Sequence, residues 1–216
     1  MNLRPFLIAF EGIDGSGKGT QAMKLREWLE VQTKKSVGGW TEPNDESSLI
    51  AKTIRAVLAK EIKIADPFEF QRMYVIDRAQ NIFSHLVQNK DNHEYKVTER
   101  FALSTIAYGM LTGRPAEDFI NLHREVLGPS MVWPDLTILI DVQADTAISR
   151  INSRRDMEGR AKESFEKKNF LEKVRENYLS LAKRNDIGKI TVVNGERPQE
   201  EVFEDVKKAV SKHFGF

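Results

Sequence analysis

The chain has 216 residues, 40% of them hydrophobic and 30% charged, a composition that argues against disorder and fits one globular domain. Its 33 Lys and Arg nearly balance 32 Asp and Glu, so it lacks the positive charge excess that favours nucleic acid. The absence of cysteine excludes disulfides and thiolate metal sites, and no apolar run is long enough to span a membrane. We therefore expect a single cytoplasmic domain over residues 1–216, without nucleic-acid or membrane partners.

Strand-like and helix-like segments alternate along the chain. The apolar run at residues 6–10 predicts a strand buried on both faces, not a signal peptide, and a helical apolar pattern follows at 18–34. Pro67 is suited to opening a long helix that continues to about residue 88. The other predicted strands cover 36–40, 95–100, 136–142 and 190–194, and the other predicted helices cover 47–60 and about 202–214. This alternation predicts an α/β fold with a parallel sheet wrapped by helices on both faces.

Charged residues and proline gather where the predicted strands end. The segments FEG, WTEP, VTER and IDV close the first four strands. Ligands of parallel α/β sheets bind beyond the carboxyl ends of the strands. One such end is ordinary for an exposed strand terminus, but four of them beside a glycine-rich loop favour a shared ligand site.

The glycine-rich loop is GIDGSGK, which fits the phosphate-binding pattern G-x-x-x-x-G-K. Glycines let backbone N–H groups turn towards phosphate oxygens, and the following helix directs its positive dipole end to the same place. Lys18 is expected to reach the β- and γ-phosphates of a nucleotide. The predicted nucleotide-binding residues are Gly12, Ile13, Asp14, Gly15, Ser16, Gly17, Lys18, Gly19 and Thr20.

Gly19 departs from the strict pattern, which has Ser or Thr directly after the lysine to hold Mg²⁺. The segment GKGTQ resembles nucleoside monophosphate kinases of the adenylate kinase type, in which the hydroxyl comes one residue later, here at Thr20. Phosphates and water then hold most of the metal, which suits an ion that keeps several waters. The loop therefore favours a small-molecule kinase with ATP and Mg²⁺ over a switch GTPase or a motor ATPase.

Six segments in order resemble the thymidylate kinase family: FEGIDGSGKGTQ, TEP, IDRAQ, ERFALSTIAYG, WPDLTILIDV and SRRDMEGR. The resemblance extends from Phe6 to about Ala182. It implies a P-loop kinase fold of the nucleoside monophosphate kinase type and ATP-dependent phosphorylation of dTMP to dTDP, a step in dTTP synthesis. It also implies Mg²⁺ and a homodimer.

The resemblance also implies roles for residues of the acceptor site. Asp14 would contact the 3′-hydroxyl of dTMP, Arg100 would clamp its phosphate, and Glu99 would touch the hydration shell of Mg²⁺. Tyr74 would stack on thymine and Tyr108 would lie near the sugar, where a ribose 2′-hydroxyl clashes. The remaining predicted acceptor residues are Glu42, Pro43, Arg78, Ser104 and Thr105, with Arg78 and the two hydroxyls at the base edge.

A short arginine-rich lid is predicted at about 153–163 by the segment SRRDMEGR. Phosphoryl transfer benefits from a cation on the transferring group, by about 10³–10⁵ in rate when an arginine supplies it. The phosphate-binding loop carries no arginine. In the thymidylate kinase family, which the chain resembles, this arginine comes either from the phosphate-binding loop or from the lid. The resemblance therefore implies Arg154, Arg155 and Arg160 as the candidate catalytic arginines, against the simpler interpretation of a solvated charged loop.

Three alternatives remain open at the level of sequence. A deoxynucleoside kinase is compatible with Glu-Arg at 99–100, although Phe101 stands where those enzymes have Ser. A nucleotide-gated switch would need a hydroxyl directly after Lys18. A relative with altered base preference is permitted because Thr41 stands where the family has Arg, and Tyr74 where most members have Phe.

Overall fold

The computed structural model describes residues 4–43, 48–89, 91–157 and 165–216, and the side chains in these ranges except at 154–157 and 165–167. Its centre is a parallel five-stranded sheet in the order β2-β3-β1-β4-β5. The strands are β1 Phe6–Glu11, β2 Gly38–Thr41, β3 Tyr95–Glu99, β4 Leu136–Asp141 and β5 Ile190–Asn194. All five strands predicted from the sequence are confirmed.

Helices flank this sheet within the described ranges. They are α1 Lys18–Thr33, α2 Leu49–Leu58, α3 Pro67–Asn81, α4 Ala102–Gly109, α5 Ala116–Leu127, α6 Ala144–Met157, α7 Phe165–Leu181 and α8 Gln199–Phe214. The sequence patterns predicted α1, α2, α3 and α8 but did not identify α4 to α7 as helices. No helix in the described part of the chain is long and apolar enough to cross a membrane.

The hydrophobic core lies on both faces of the sheet. Leu7 and Ala9 of β1 belong to one buried cluster, and Ile8 and Phe10 belong to the other. Successive side chains of a strand point to opposite faces, so this division follows from a strand that is covered on both sides. The uninterrupted apolar run of β1 is therefore explained, and the predicted α/β architecture is confirmed.

Two helices differ from their predicted form. In α2 the apolar stripe is only partly used, because Ile54 is buried while Leu49 and Leu58 are 79% and 59% exposed. The long helix opened by Pro67 begins as expected, with the Asp66 carboxylate accepting from Phe68 N at 2.8 Å. It remains α-helical only to Asn81 and continues as a π-helical segment, Ile82–Gln88.

The strand register aligns the carboxyl ends of the central strands. Phe10 of β1 and Thr41 of β2 are both opposite Glu99 of β3, and Glu11 is opposite Leu139 of β4. The predicted ligand edge of the sheet therefore exists as a continuous line of strand ends. The loops that follow β1, β2 and β3 leave the sheet side by side along this edge.

Candidate active site

The loop between β1 and α1 has the conformation of a phosphate cradle. Gly15 has φ +84°, and a Cβ there would lie 2.4 Å from the carbonyl oxygen of Ala147, so only glycine fits. Gly17 is the N-cap of α1 at φ 91°, and no side chain caps the helix. The first N–H groups of a helix have no partner inside the helix, so an uncapped N-terminus favours an anion.

Lys18 is buried at the beginning of α1. Its Nζ lies 3.6 Å from Asp14 Oδ1, 3.7 Å from Glu99 Oε1 and 3.4 Å from the carbonyl oxygen of Ile13. Burial lowers the pKa of Lys18 to about 8; Arg100 acts in the same direction, and Asp14 and Glu99 oppose the shift. The nearby carboxylates therefore offset only part of the cost of burying the ammonium, and phosphate oxygens bound in the loop would supply further hydrogen-bond acceptors.

The carboxylate of Glu99 lies against Gly19, the residue after Lys18. A Cβ on Gly19 would lie 2.6 Å from Glu99 Oε2, so a Ser or Thr at this position would require the carboxylate to move. That movement would also disturb the contact between Glu99 and Lys18. The place of the missing hydroxyl is therefore taken by a carboxylate from β3.

Asp14 is turned towards Arg100, with which it forms an ion pair. Arg100 donates to Ser104 Oγ at 2.9 Å and to the Tyr178 and Tyr108 hydroxyls at 3.4 Å each. Its backbone has φ +67°, a conformation uncommon for a residue with a side chain. Such strain often marks a functional position. The carboxylate of Asp14, which by itself would repel an anion bound in the loop, is thus paired with a cation.

Glu11 is a fully buried carboxylate that the sequence analysis did not select. Its oxygens accept from Phe101 N at 2.8 Å, Ser104 N at 3.1 Å, Ser104 Oγ at 2.5 Å and the Tyr178 hydroxyl at 3.1 Å. Burial raises the pKa of Glu11, although these hydrogen bonds and Arg100 oppose the shift. Glu11 therefore caps α4 and connects it to β1 and α7. Its position at the end of β1 is the feature of the sequence from which it could have been selected as a site residue.

A cavity of about 580 Å³ opens beside these groups. All nine residues predicted for the acceptor site line it: Asp14, Glu42, Pro43, Tyr74, Arg78, Arg100, Ser104, Thr105 and Tyr108. It is also lined by residues that the sequence analysis missed: Leu58, Pro67, Phe70, Gln71, Leu111, Thr112 and Phe170. The volume falls within the range of small-molecule sites.

Arg78 lines the polar side of this cavity and contacts three acceptors, of which Glu42 and Thr105 also line it. Its Nε and Nη2 donate to Glu42 Oε2 at 2.9 and 2.6 Å, and both Nη atoms lie 3.2 Å from Thr105 Oγ1. Nη1 also lies 2.6 Å from Nε2 of His123. Burial lowers the pKa of His123 to about 3 and Arg78 acts in the same direction, so the imidazole is neutral and accepts. No sequence motif pointed to His123.

Aromatic side chains cover the less polar side of the cavity. Tyr74 packs edge-on against Phe70 with ring centroids 5.2 Å apart, and burial raises the pKa of Tyr74 to about 12. The guanidinium of Arg100 lies 5.3 Å from the ring centre of Tyr108. Tyr74 is therefore a neutral phenol, and flat apolar surfaces are available for a planar ring.

The arginine-rich segment is only partly described. The backbone of Arg154 and Arg155 belongs to α6, whereas Arg160 lies outside the described residues. Arg150 of the same helix was missed by the sequence analysis, and it contacts the carbonyl oxygens of Ser16 at 3.4 Å and Gly195 at 2.8 Å. One arginine of α6 thus reaches the phosphate-binding loop.

The sheet order, the loop between β1 and α1 and the cation-bearing cavity beside it define the class of P-loop nucleoside monophosphate kinases. A family model described as thymidylate kinase matches residues 10–206. The chain therefore belongs to the thymidylate kinase family of phosphotransferases.

Individual relatives agree over nearly the whole chain. A probable thymidylate kinase of Sulfolobus acidocaldarius is 36% identical over 203 residues, 93% of each chain. A probable thymidylate kinase of Methanosarcina mazei is 32% identical and covers 96% of each chain. A thymidylate kinase of Maridesulfovibrio salexigens is 33% identical and covers 94% of each chain.

Proposed function

We propose that the chain catalyses ATP-dependent phosphorylation of dTMP to dTDP, in dTTP synthesis. The observation that carries the proposal is the position of Asp14, whose carboxylate lies 3.6 Å from Lys18 Nζ and also pairs with Arg100. Lys18 belongs to the phosphate-binding loop and Arg100 to the cavity. A donor phosphate at Lys18 and an acceptor phosphate at Arg100 would therefore be neighbours, as direct transfer requires.

The chemistry requires little of the protein beyond position and charge. The γ-phosphorus forms a bond to a 5′-phosphate oxygen of dTMP while its bond to the β-phosphate oxygen of ATP breaks. The second pKa of a phosphate monoester is about 6, so the nucleophile is already ionised at neutral pH and needs no general base. Lys18 and Arg100 supply positive charge to the donor and acceptor phosphates.

The state of Glu42 supports a phosphate acceptor over an alcohol. A nucleoside kinase needs a free carboxylate to deprotonate its substrate. Glu42 has one oxygen bound to Arg78 and the other accepting from Trp40 Nε1 at 3.3 Å. Both oxygens of the Glu42 carboxylate thus accept hydrogen bonds from the protein, so Glu42 is not free to act as a general base.

The metal fits the residues at the donor end. Mg²⁺ neutralises and orients the transferring phosphates when bound. Glu99 offers a carboxylate next to Lys18 for the hydration shell of the metal, and Thr20 offers a hydroxyl in the first turn of α1.

The proposed acceptor site assigns one role to each wall of the cavity. Arg100 and Asp14 receive the phosphate and sugar, and Tyr74 stacks on the base. Arg78, Ser104 and Thr105 form the edge that faces the base, bordered by Glu42 and Pro43. Tyr108 lies where a 2′-hydroxyl would have to fit. Thymine is the base proposed for this pocket, and altered base preference is the alternative that the acceptor assay resolves.

An acceptor assay tests the function. ADP release is measured with ATP and Mg²⁺ and each of dTMP, dUMP, dCMP, dGMP, UMP and thymidine. We expect dTMP to be the best acceptor, UMP to be poor and thymidine to be inactive, because thymidine brings no phosphate to Arg100 and Glu42 is not free to deprotonate its alcohol. Thymidine turnover equal to that of dTMP would identify a nucleoside kinase. A purine monophosphate as best acceptor would retain the reaction and refute the base pocket.

The lid arginines form a second prediction. Arg154, Arg155 and Arg160 are each changed to Ala. We expect at least one variant to lower kcat by about 10² or more with little change in the KM for dTMP, because its charge acts in the transition state. Three variants with wild-type kcat would leave the segment as a solvated charged loop.

We also propose that the enzyme is a cytoplasmic homodimer. Ile76, Phe83 and Val87 are 39%, 54% and 63% exposed along α3 and the π-helical segment that continues it, an apolar stripe of the kind that interfaces cover. Sedimentation velocity distinguishes the dimer from a monomer. A monomer at about micromolar concentration, unchanged by Phe83→Asp, would contradict this proposal.

A further inference from the structure

Gln71 is a buried amide in the cavity whose oxygen lacks a partner. It lies three residues before Tyr74 and seven before Arg78, on the face of α3 that lines the cavity. The residue is 7% exposed, and Oε1 has no hydrogen-bond partner among the described residues. A buried polar atom without a partner is costly, and in native structures it calls for an explanation such as a ligand.

The neighbouring Arg78 has no donor to spare. A guanidinium has five N–H groups. Two of them point to Glu42, two to Thr105 and one to His123. A direct hydrogen bond from Arg78 to a ligand would require one of these contacts to be given up.

Arg78 instead determines what Thr105 offers. The hydroxyl oxygen of Thr105 has two lone pairs, and two Arg78 nitrogens lie 3.2 Å from it. The single hydroxyl hydrogen therefore remains for donation, so Thr105 is suited to a carbonyl oxygen and unsuited to an amino group. His123 and Glu42 hold the guanidinium in this arrangement from the other side.

We infer that Gln71 recognises the imide edge of a 2,4-dioxopyrimidine, with its carboxamide oxygen accepting from N3–H and its NH₂ group donating to a ring carbonyl. A carboxamide and an imide edge carry adjacent donors and acceptors in matching order. The amide alone could turn over and pair with the edge of cytosine. Thr105, fixed as a donor, opposes the amino group of cytosine and makes the pair selective for the dioxo base. This inference rests on the proposed function and extends it to base selection.

The test removes one hydrogen-bonding atom from each side. Gln71→Leu removes the carboxamide with little change in volume, and 3-methyl-dTMP replaces the N3–H donor of the acceptor by N3–CH₃ while keeping both ring carbonyls. For wild type we expect kcat/KM to be about tenfold or more lower with 3-methyl-dTMP than with dTMP. For Gln71→Leu the two acceptors should differ by less than about threefold, because the partner of N3–H has gone.

Controls separate recognition from stability. Gln71→Leu should raise the KM for dTMP about tenfold, leave that for ATP unchanged and not lower Tm, because it removes an unpaired buried oxygen. Gln21→Leu is the control outside the cavity: Gln21 is buried on α1, its Oε1 also lacks a partner among the described residues, and its NH₂ group donates to the carbonyl oxygen of Gln199 at 2.9 Å. It should leave the KM for dTMP unchanged. Gln71→Met provides a second variant if the leucine variant folds poorly.

Each outcome has a separate meaning. An equal loss of kcat/KM with 3-methyl-dTMP in wild type and in the variant would overturn the role of Gln71 while leaving dTMP phosphorylation intact. Failure of the wild type to phosphorylate dTMP would overturn the proposed function itself. A larger loss of kcat/KM on removal of the N3–H donor in wild type than in both Gln71 variants would support the inference.

Discussion

Lys18→Met is expected to abolish turnover and leave the folded protein intact. The Lys18 ammonium lies at the first turn of α1, beside Asp14 and Glu99, where the donor phosphates are proposed to bind. Loss of a cation that acts on the transferring phosphoryl group costs several kcal/mol in the transition state. Steady-state turnover and Tm are measured on the same preparation. Turnover above about a tenth of wild type would contradict the role of Lys18.

The stability of this variant follows from the pKa of the lysine. Burial lowers the pKa of Lys18 from 10.5 to about 8, so at neutral pH the fold disfavours the charged form relative to the unfolded chain. Removing the charge with a side chain of similar size should therefore not lower Tm. Lys24→Met is the matched control on the same helix, because Lys24 makes a surface ion pair with Glu200 and its loss should leave turnover unchanged.

The sequence predicted the fold wherever the signal was local. The strand β1 has an uninterrupted apolar run, and the loop after it has a fixed glycine spacing, so both follow from neighbouring residues. The nine acceptor residues were selected because they match segments of the thymidylate kinase family, and the structure places all of them around one cavity. Their convergence on one cavity follows from the parallel sheet, which brings the ends of β1, β2 and β3 to one edge.

The remaining parts of the site depend on contacts between distant segments. His123 of α5 meets Arg78 across 45 residues of sequence, and Glu11 meets Tyr178 across 167. Neither contact leaves a periodic pattern or a motif. Gln71 was on the predicted helix but had no distinguishing neighbour, and only its unpaired oxygen in the cavity identifies it. The exposure of Leu49 likewise depends on how α2 packs.

Gly19 departs from the phosphate-binding motif in the sequence, and in the folded protein this position contacts a residue from a distant segment. From the sequence it was a missing metal ligand in a phosphate-binding loop. In the folded protein the absent side chain leaves room for the carboxylate of Glu99, which comes from another strand. A carboxylate thus lies beside Lys18 where the strict motif has a hydroxyl, and we propose that it contacts the hydration shell of Mg²⁺.

Glu42→Ala is expected to lower the free energy of unfolding by about 3–5 kcal/mol, because it leaves the buried charge of Arg78 without its carboxylate. The two side chains are 3% and 1% exposed, and two nitrogens of Arg78 donate to Glu42 Oε2. For a chain of this length the loss corresponds to roughly 6–20 °C in Tm. Glu94→Ala is the surface control, since its pair with Lys35 is exposed and should be worth less than about 1 kcal/mol.

The pH of the measurement and a double variant make this prediction specific. Burial raises the pKa of Glu42 from 4.5 to about 7, so the folded state binds a proton more tightly than the unfolded chain, and this stabilising contribution is lost as pH rises from about 4.5 to 7. Tm is therefore measured at about pH 8, where the native carboxylate is ionised.

Combining Glu42→Leu with Arg78→Met removes both charges and should recover most of the lost stability, because a buried ion pair can be exchanged for apolar side chains at little cost. The recovered protein should still bind dTMP poorly, because Thr105 has lost the guanidinium that orients its hydroxyl. A single variant within about 2 °C of wild type would show that the fold does not depend on the pair, and a double variant no more stable than Glu42→Ala would show that the loss did not arise from the unpaired charge.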